Sequence, residues 1–138
     1  MLILVLCGAP PSVRADNVAR AGAPLRLTVA IPATASDSAV VMVELAIAVT
    51  PNTPAAHPGV LVRFGRPGGP LIEAGRLSVA PSVQPREGRY QIDVRALVRR
   101  FALAGGTAEV EIALIDRSGR APPAEAALHV GGIRIVTR

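Results

Sequence analysis

The clearest pattern in the chain is a two-residue alternation of polar and apolar side chains in its C-terminal third, residues 88–136. Residues 89–94, 109–114 and 129–135 each place their apolar side chains on one face. A period of two is typical of strands that bury one face and expose the other. Turn-forming residues separate the three segments, so the pattern predicts half-buried antiparallel strands.

Further strands are predicted upstream. Residues 25–31 alternate and end at Pro32, residues 60–64 alternate before a turn rich in glycine and proline, and residues 76–79 form a short strand. The longest apolar run, residues 40–49, is apolar on nearly all of both faces and rich in β-branched side chains. Such residues favour strands over helices. We therefore predict a central strand that is covered on both sides.

One segment inside the C-terminal third departs from the two-residue period. Its apolar side chains follow the i, i+3, i+4, i+7 spacing of a helix at Val94, Leu97, Val98 and Phe101. Asp93 is placed to be the N-cap, and Gly105 can supply a left-handed stop. Arg99 and Arg100 suit the negative end of the helix dipole. The spacing thus predicts one short helix near residues 94–103, packed across one end of a sandwich.

The composition agrees with a small aliphatic fold. Half of the 138 residues are hydrophobic, yet there are only two phenylalanines, one tyrosine and no tryptophan. Thirteen glycines and thirteen prolines, scattered without a period, punctuate many short elements. We predict an all-β fold, an antiparallel and jelly-roll-like β-sandwich of seven or eight short strands, in a single domain over residues 25–138.

The N-terminal residues predict export. The chain begins with six apolar residues, and a small-x-small pattern ends at Ala15, so we expect a signal peptide at residues 1–15 and a flexible lead-in at residues 16–24. Cys7 leaves a lipid anchor as an alternative, although the bulky Leu6 precedes it; the N-terminus of a fragment is another. The apolar run is too short to span a bilayer. We expect a secreted or periplasmic protein without a transmembrane segment.

The charge does not indicate a nucleic-acid partner. The chain has a formal net charge of +5, and all fifteen of its basic residues are arginines. They are spread along the chain among acids, and the nearest approach to a cluster is Arg86, Arg89, Arg95, Arg99 and Arg100. Proteins that bind nucleic acid usually add stacking aromatic side chains or a recognisable motif, and neither is present.

Few residues suggest chemistry. His57 and His129 lack further ligands at metal-binding spacing, Ser118 belongs to a turn sequence, and no nucleophile motif is present. Glu109 and Glu111 share one face of a strand, which we expect to be solvated. We assign no catalytic, cofactor-binding or metal-ligating residue and expect no cofactor. Binding of a metal or small ligand through His57 or His129 remains the alternative.

The order of elements resembles a known domain. An apolar strand at residues 40–49 precedes a strand at 60–64; a strand and helical turn follow at 90–98, then strands at 109–117 and 128–135. This series is similar to the C-terminal β-sandwich domain of the polyphenol oxidase and tyrosinase family, which is named for a Lys-Phe-Asp-Val signature in plants. The signature itself is absent where Val62, Arg63 and Phe64 stand in this chain.

The resemblance implies a role and no site residues. In that family the domain packs over the oxidase and shields its copper site until it is removed. The oxidase holds each of two coppers with a histidine triad, and the two histidines here cannot build such a site. We expect a secreted, non-enzymatic accessory domain with a protein partner, a copper oxidase. The alternatives are an exported metal- or ligand-binding module and the detached C-terminal tail of a longer copper oxidase.

Overall fold

Two four-stranded antiparallel sheets face each other in the computed structural model, which describes residues 17–49, 59–79, 88–115 and 126–138. The described strands are β1 (Val18–Arg20), β2 (Leu25–Ala30), β3 (Val41–Val49), β4 (Gly59–Gly65), β5 (Leu71–Ser78), β6 (Gly88–Asp93), β7 (Thr107–Ile115) and β8 (Ala127–Thr137). One α-helix, α1 (Arg95–Arg100), joins β6 to β7, and a short 3-10 helix (Ala33–Ser36) follows β2.

The strand order is that of a jelly roll. Sheet A has the order β1-β8-β3-β6, and sheet B has the order β2-β7-β4-β5. Each strand of one sheet therefore has a counterpart in the other, as two nested Greek keys require. The predicted all-β sandwich with one short helix is confirmed.

The core lies between the sheets and is almost wholly aliphatic. Along β3 and β4 every second side chain points inward and is fully buried, as are the inward side chains of β7. The largest of them are Phe64, Leu45, Ile47 and Ile112. Burying one such side chain stabilises a fold by roughly 1.5–3 kcal/mol. The apolar positions that alternate along the sequence thus face the core, and the polar positions between them face the surface.

The outer face of β3 differs from the prediction that this strand is covered on both sides. Val41, Val43 and Leu45 are fully buried, whereas Met42 and Ala46 on the other face are only half-buried. No described segment packs over that face. Its small and flexible apolar side chains lie between β6 and β8, which gives a sheet surface rather than a second core.

A short strand occupies the segment that was expected to be a flexible lead-in. Val18 pairs with His129 and Arg20 with Ala127, so β1 forms an edge of sheet A, and Ala19 is fully buried. A tight turn closed by Arg20 and Ala23 then leads to β2. A strand of three residues is too short to show a polar–apolar alternation in the sequence. Its place in the sheet comes from its pairing with β8.

Helix α1 closes one end of the sandwich within the predicted range. Its N-cap is Val94 rather than Asp93, but the Asp93 carboxylate accepts the N–H of Arg95 at 2.9 Å. The left-handed residue that follows the helix is Ala102, with φ of 52°, and not Gly105, which has φ of 80° in the next turn. In the described part of the chain, no helix has the length and apolar character needed to cross a membrane.

Candidate functional site

The outer face of sheet B carries a buried carboxylate. Glu111 lies between its cross-strand neighbours Arg26 and Arg63, and its side chain is only 5% exposed. Nε of Arg26 donates to one carboxylate oxygen at 2.9 Å, and Nη1 of Arg63 donates to the other at 3.2 Å. The prediction that Glu111 is solvated is therefore wrong, because two long arginine side chains cover it from the strands on either side.

The second acid on this face completes the network. Glu109 contacts Nη1 of Arg26 at 3.5 Å and accepts the backbone N–H of Gly68, in the β4–β5 turn, at 3.2 Å. Two carboxylates thus meet two guanidinium groups, and the charges balance. Both oxygens of each acid have a partner, so this network serves structure and offers little to a ligand.

The outer face of sheet A carries a second, more open network around Glu44 on β3. Gln91 of β6 donates its amide N–H to Oε2 at 2.9 Å, and Nε of Arg134 on β8 donates to Oε1 at 2.8 Å. Nη1 of Arg89 lies 3.8 Å from the same Oε1. The Glu44 side chain is 13% exposed, whereas the arginine side chains are 65% and 70% exposed.

These donors stabilise the ionised form of Glu44. The hydrogen bond from Gln91 and then that from Arg134 hold the pKa of Glu44 below its ordinary value, against the opposing effect of desolvation. Glu44 is therefore a carboxylate over the whole neutral range. One negative charge here meets two positive ones, so this network keeps one unit of positive charge in excess.

A β-bulge next to Glu44 opens a depression. Ala46 pairs with Gly132 and Ile47 with Val130, so Gly131 is the extra residue of β8. An extra residue of this kind bends the strand. The depression has a volume of about 320 Å³. It is lined by Glu44, Ala46, Arg89, Gly131, Gly132, Ile133 and Arg134.

A second concavity of about 300 Å³ lies at the end of the sandwich beside α1. Its lining is mainly apolar and consists of Ser36, Val98, Arg99, Ala102 and Ala104. The Ser36 hydroxyl donates to the carbonyl of Ala33, so its proton is already used. This concavity has no converging polar groups that would orient a substrate.

The described residues contain one histidine, His129. His129 is exposed on the outer face of sheet A, where its neighbours across the strands are Ala48 and Val18. No group of three potential ligands from His, Cys, Asp and Glu occurs in residues 17–49, 59–79, 88–115 and 126–138. The predictions for residues 1–15, for His57 and for Ser118 lie outside the described residues.

Reasoning from the sequence missed the Glu44 network. Glu44 and Arg134 lie 90 positions apart, and their contact depends on the register of β3 against β8. The one available signal was a single acid in an otherwise apolar run, which needs partners when it is partly covered. The Gly131-Gly132 pair in the sequence does not by itself show a depression or the residues around it.

Comparison with known proteins gives a likeness of fold. No protein-family model matches the sequence, and no curated protein matches it significantly. Recombinantly expressed latent aurone synthase, a polyphenol oxidase, has a similar structure, with a TM-score of 0.56 and 16% identity over 94% of this chain and 26% of that chain. Latent aurone synthase from its natural source gives a TM-score of 0.56 and 15% identity, again over 94% of this chain and 26% of that chain.

A further structure of the recombinant enzyme, co-crystallised with hexatungstotellurate(VI), gives a TM-score of 0.54 and 15% identity over 99% of this chain. This chain thus corresponds to between 26% and 32% of the oxidase chains. The likeness to a polyphenol oxidase that the sequence predicts is confirmed at the level of the fold.

Proposed function

We propose that this chain is an exported, non-catalytic accessory domain that packs against a polyphenol-oxidase-like copper enzyme and holds it inactive. The observation that carries the proposal is the coverage of the structural likeness. Almost the whole chain, 94–99%, matches only 26–32% of the chain of a latent polyphenol oxidase. A piece of that size corresponds to a domain and leaves the larger part of the oxidase without a counterpart.

The chemistry of the chain supports a role in packing rather than catalysis. The family that the sequence resembles needs a histidine triad for each of two coppers, and these 138 residues contain two histidines. A partner would therefore have to supply the copper site. In that family the domain shields the copper site, and the solved relatives are named as latent forms. Export belongs to the proposal because of the apolar and small-x-small pattern of residues 1–15.

The proposal is tested by inhibition. A polyphenol oxidase freed of its own accessory domain is mixed with increasing amounts of this chain, and the rate of catechol oxidation is followed at the absorbance of the quinone. We expect the rate to fall to a plateau and the two proteins to elute together in size-exclusion chromatography. An unchanged rate together with separate elution would overturn the proposal.

Copper binding provides the control. Calorimetry with Cu(II) is expected to give no heat above that of buffer for the chain alone. If heat is released and a His129→Ala variant abolishes it, the metal-binding alternative holds instead. Coding sequence rich in histidine, in frame upstream of Met1, would show that the domain acts within a longer oxidase rather than on a separate one.

A further inference from the structure

The outer face of sheet A is more apolar at its centre than a surface strand requires. Met42, Ala46 and Ala48 lie on the outer face of the inner strand β3, where only Glu44 interrupts them, and each of the three is half-buried. At the centre of sheet B, by contrast, the outer face is closed by the Arg26–Glu111–Arg63 network. These three residues form an apolar strip beside charged side chains, a composition that is usual in protein interfaces.

The depression on this face is not required by packing. A Cβ atom built on Gly132 would meet no heavy atom of the described residues within 4 Å, and the φ angle of Gly132 lies outside the left-handed region. A larger residue would fit, and the strand would lose less conformational entropy with it. The small residue therefore leaves room beside Arg89 and Arg134 without serving the fold.

The positive charge beside the depression favours a negatively charged ligand. Arg89 and Arg134 share the single carboxylate of Glu44, so one positive charge is left over beside a site of about 320 Å³. Guanidinium groups hold carboxylates with two parallel hydrogen bonds. A second carboxylate placed over the depression would balance the charges, as Glu109 and Glu111 do for Arg26 and Arg63 on sheet B.

A second copy of this chain does not suit the face. In a symmetric dimer whose two-fold axis passes through the depression, each arginine pair would lie near the arginine pair of the other copy. The chain as a whole carries a net charge of +5, which adds to that repulsion. Single-stranded nucleic acid also fits poorly, because no phenylalanine, tyrosine or tryptophan stands on the described part of this face for a base to stack on.

We infer that the outer face of sheet A binds an acidic surface of the partner protein, with a partner aspartate or glutamate seated in the Gly131–Gly132 depression between Arg89 and Arg134. The apolar strip along β3 packs beside it. The inference rests on the proposed function for the identity of the partner, a polyphenol-oxidase-like enzyme, and specifies the surface and the chemistry of the contact.

The test compares variants of the full chain for binding to a polyphenol oxidase freed of its own accessory domain, by biolayer interferometry. Arg89→Gln with Arg134→Gln removes both cations, and Gly132→Leu fills the depression without changing the charge. Each is expected to raise the Kd at least tenfold. Arg76→Gln on sheet B removes an arginine of similar exposure and is expected to leave the Kd within twofold of wild type.

All variants are first checked by circular dichroism for the wild-type fold, since the loss of both arginines also removes two partners of Glu44. If wild type binds and the Arg89/Arg134 and Gly132 variants bind equally well, the inference is overturned while the proposed function stands. If wild type does not bind the oxidase, the proposed function fails, and a titration with tetra-aspartate decides the inference by itself.

In that titration the amide NMR signals of Gly131 and Gly132 are followed in wild type and in the Arg89→Gln/Arg134→Gln variant. Shifts that occur in wild type and disappear in the variant would support an acidic-partner surface. Absence of shifts in wild type would overturn it. A single-stranded oligonucleotide that bound this face more tightly than tetra-aspartate would also overturn it, since the partner would then be a nucleic acid.

Discussion

The two outer faces of the sandwich use the same ion-pair chemistry to different ends. On sheet B, Glu111 is covered by Arg26 and Arg63, and the charges of the network balance. On sheet A, Glu44 is shared by Arg89 and Arg134, which extend into solvent with one positive charge in excess. The ion pairs of sheet B are thus closed over by the neighbouring strands, whereas those of sheet A leave their arginines open to solvent.

The two faces also differ in how they accommodate a bulge. In sheet B the register shifts between Val62 and Arg63, and a Cβ on the adjacent Gly75 would lie 3.1 Å from Cγ2 of Ile92. In sheet A the bulge at Gly131 leaves open space at Gly132. Packing explains why a glycine is needed at Gly75 in sheet B, but it does not explain the glycine at Gly132 in sheet A.

The largest expected effect is on sheet B. Glu111→Ala should lower the free energy of unfolding by about 2–3 kcal/mol, because it removes two charge-assisted hydrogen bonds from a nearly buried site. Urea denaturation followed by circular dichroism measures it. The matched control is Glu73→Ala, which breaks an exposed pair with Arg76 and should cost about 0.5 kcal/mol or less. Equal losses for both variants would contradict the closed network.

Two glycine-to-alanine substitutions should differ by nearly as much in their effect on the free energy of unfolding. In Gly65→Ala the new methyl group would lie 2.6 Å from the carbonyl oxygen of Pro70, so the turn must shift, at a cost of about 1–3 kcal/mol. Gly132→Ala should change the free energy of unfolding by about 0.5 kcal/mol at most. Chemical denaturation of both variants checks this. A loss of 1 kcal/mol or more for Gly132→Ala would show that packing does require this glycine.

The strands could be predicted because alternation records which side of a sheet faces the core. The same reasoning could not find β1, since three residues carry no period and its place depends on pairing with β8. The number of short strands predicted a jelly-roll-like sandwich, but alternation could not give the order of the strands in each sheet, which the structure shows. An order of strands is decided by loops and long-range packing that a local pattern does not contain.

The site was less predictable than the fold. Glu109 and Glu111 were correctly placed on one outer face, but the burial of Glu111 depends on which residues stand opposite it in β2 and β4. The contacts of Glu44 likewise require the register of three strands and a bulge. Cross-strand partners far apart in sequence become visible only when the register is known.

The smallest predicted effect concerns the acid response of Glu44. Its pKa in the folded chain is lowered from 4.5, so the stability that Glu44 contributes is present above the unfolded value and is lost as the pH falls through the folded value. The melting temperature of wild type should exceed that of Glu44→Gln at neutral pH, and the difference should shrink below pH 4.5. A difference that grew on acidification would contradict this assignment.

The hydrogen bond from Gln91 is the main cause of the lowered pKa, so Gln91→Ala supplies the control. In this variant, NMR titration of the Glu44 carboxyl carbon should give a pKa closer to 4.5 than in wild type. A pKa that stayed unchanged would assign the effect to Arg134 and Arg89 instead.

The most direct test of the difference between the faces is a methyl NMR titration of the whole chain with a polyphenol oxidase freed of its own accessory domain. The outer face of sheet A is reported by the methyl groups of Ala46 and Ala48, and that of sheet B by Ala113 and Thr28. We expect the Ala46 and Ala48 signals to shift or broaden while those of Ala113 and Thr28 stay in place. The reverse pattern would contradict a partner surface on sheet A.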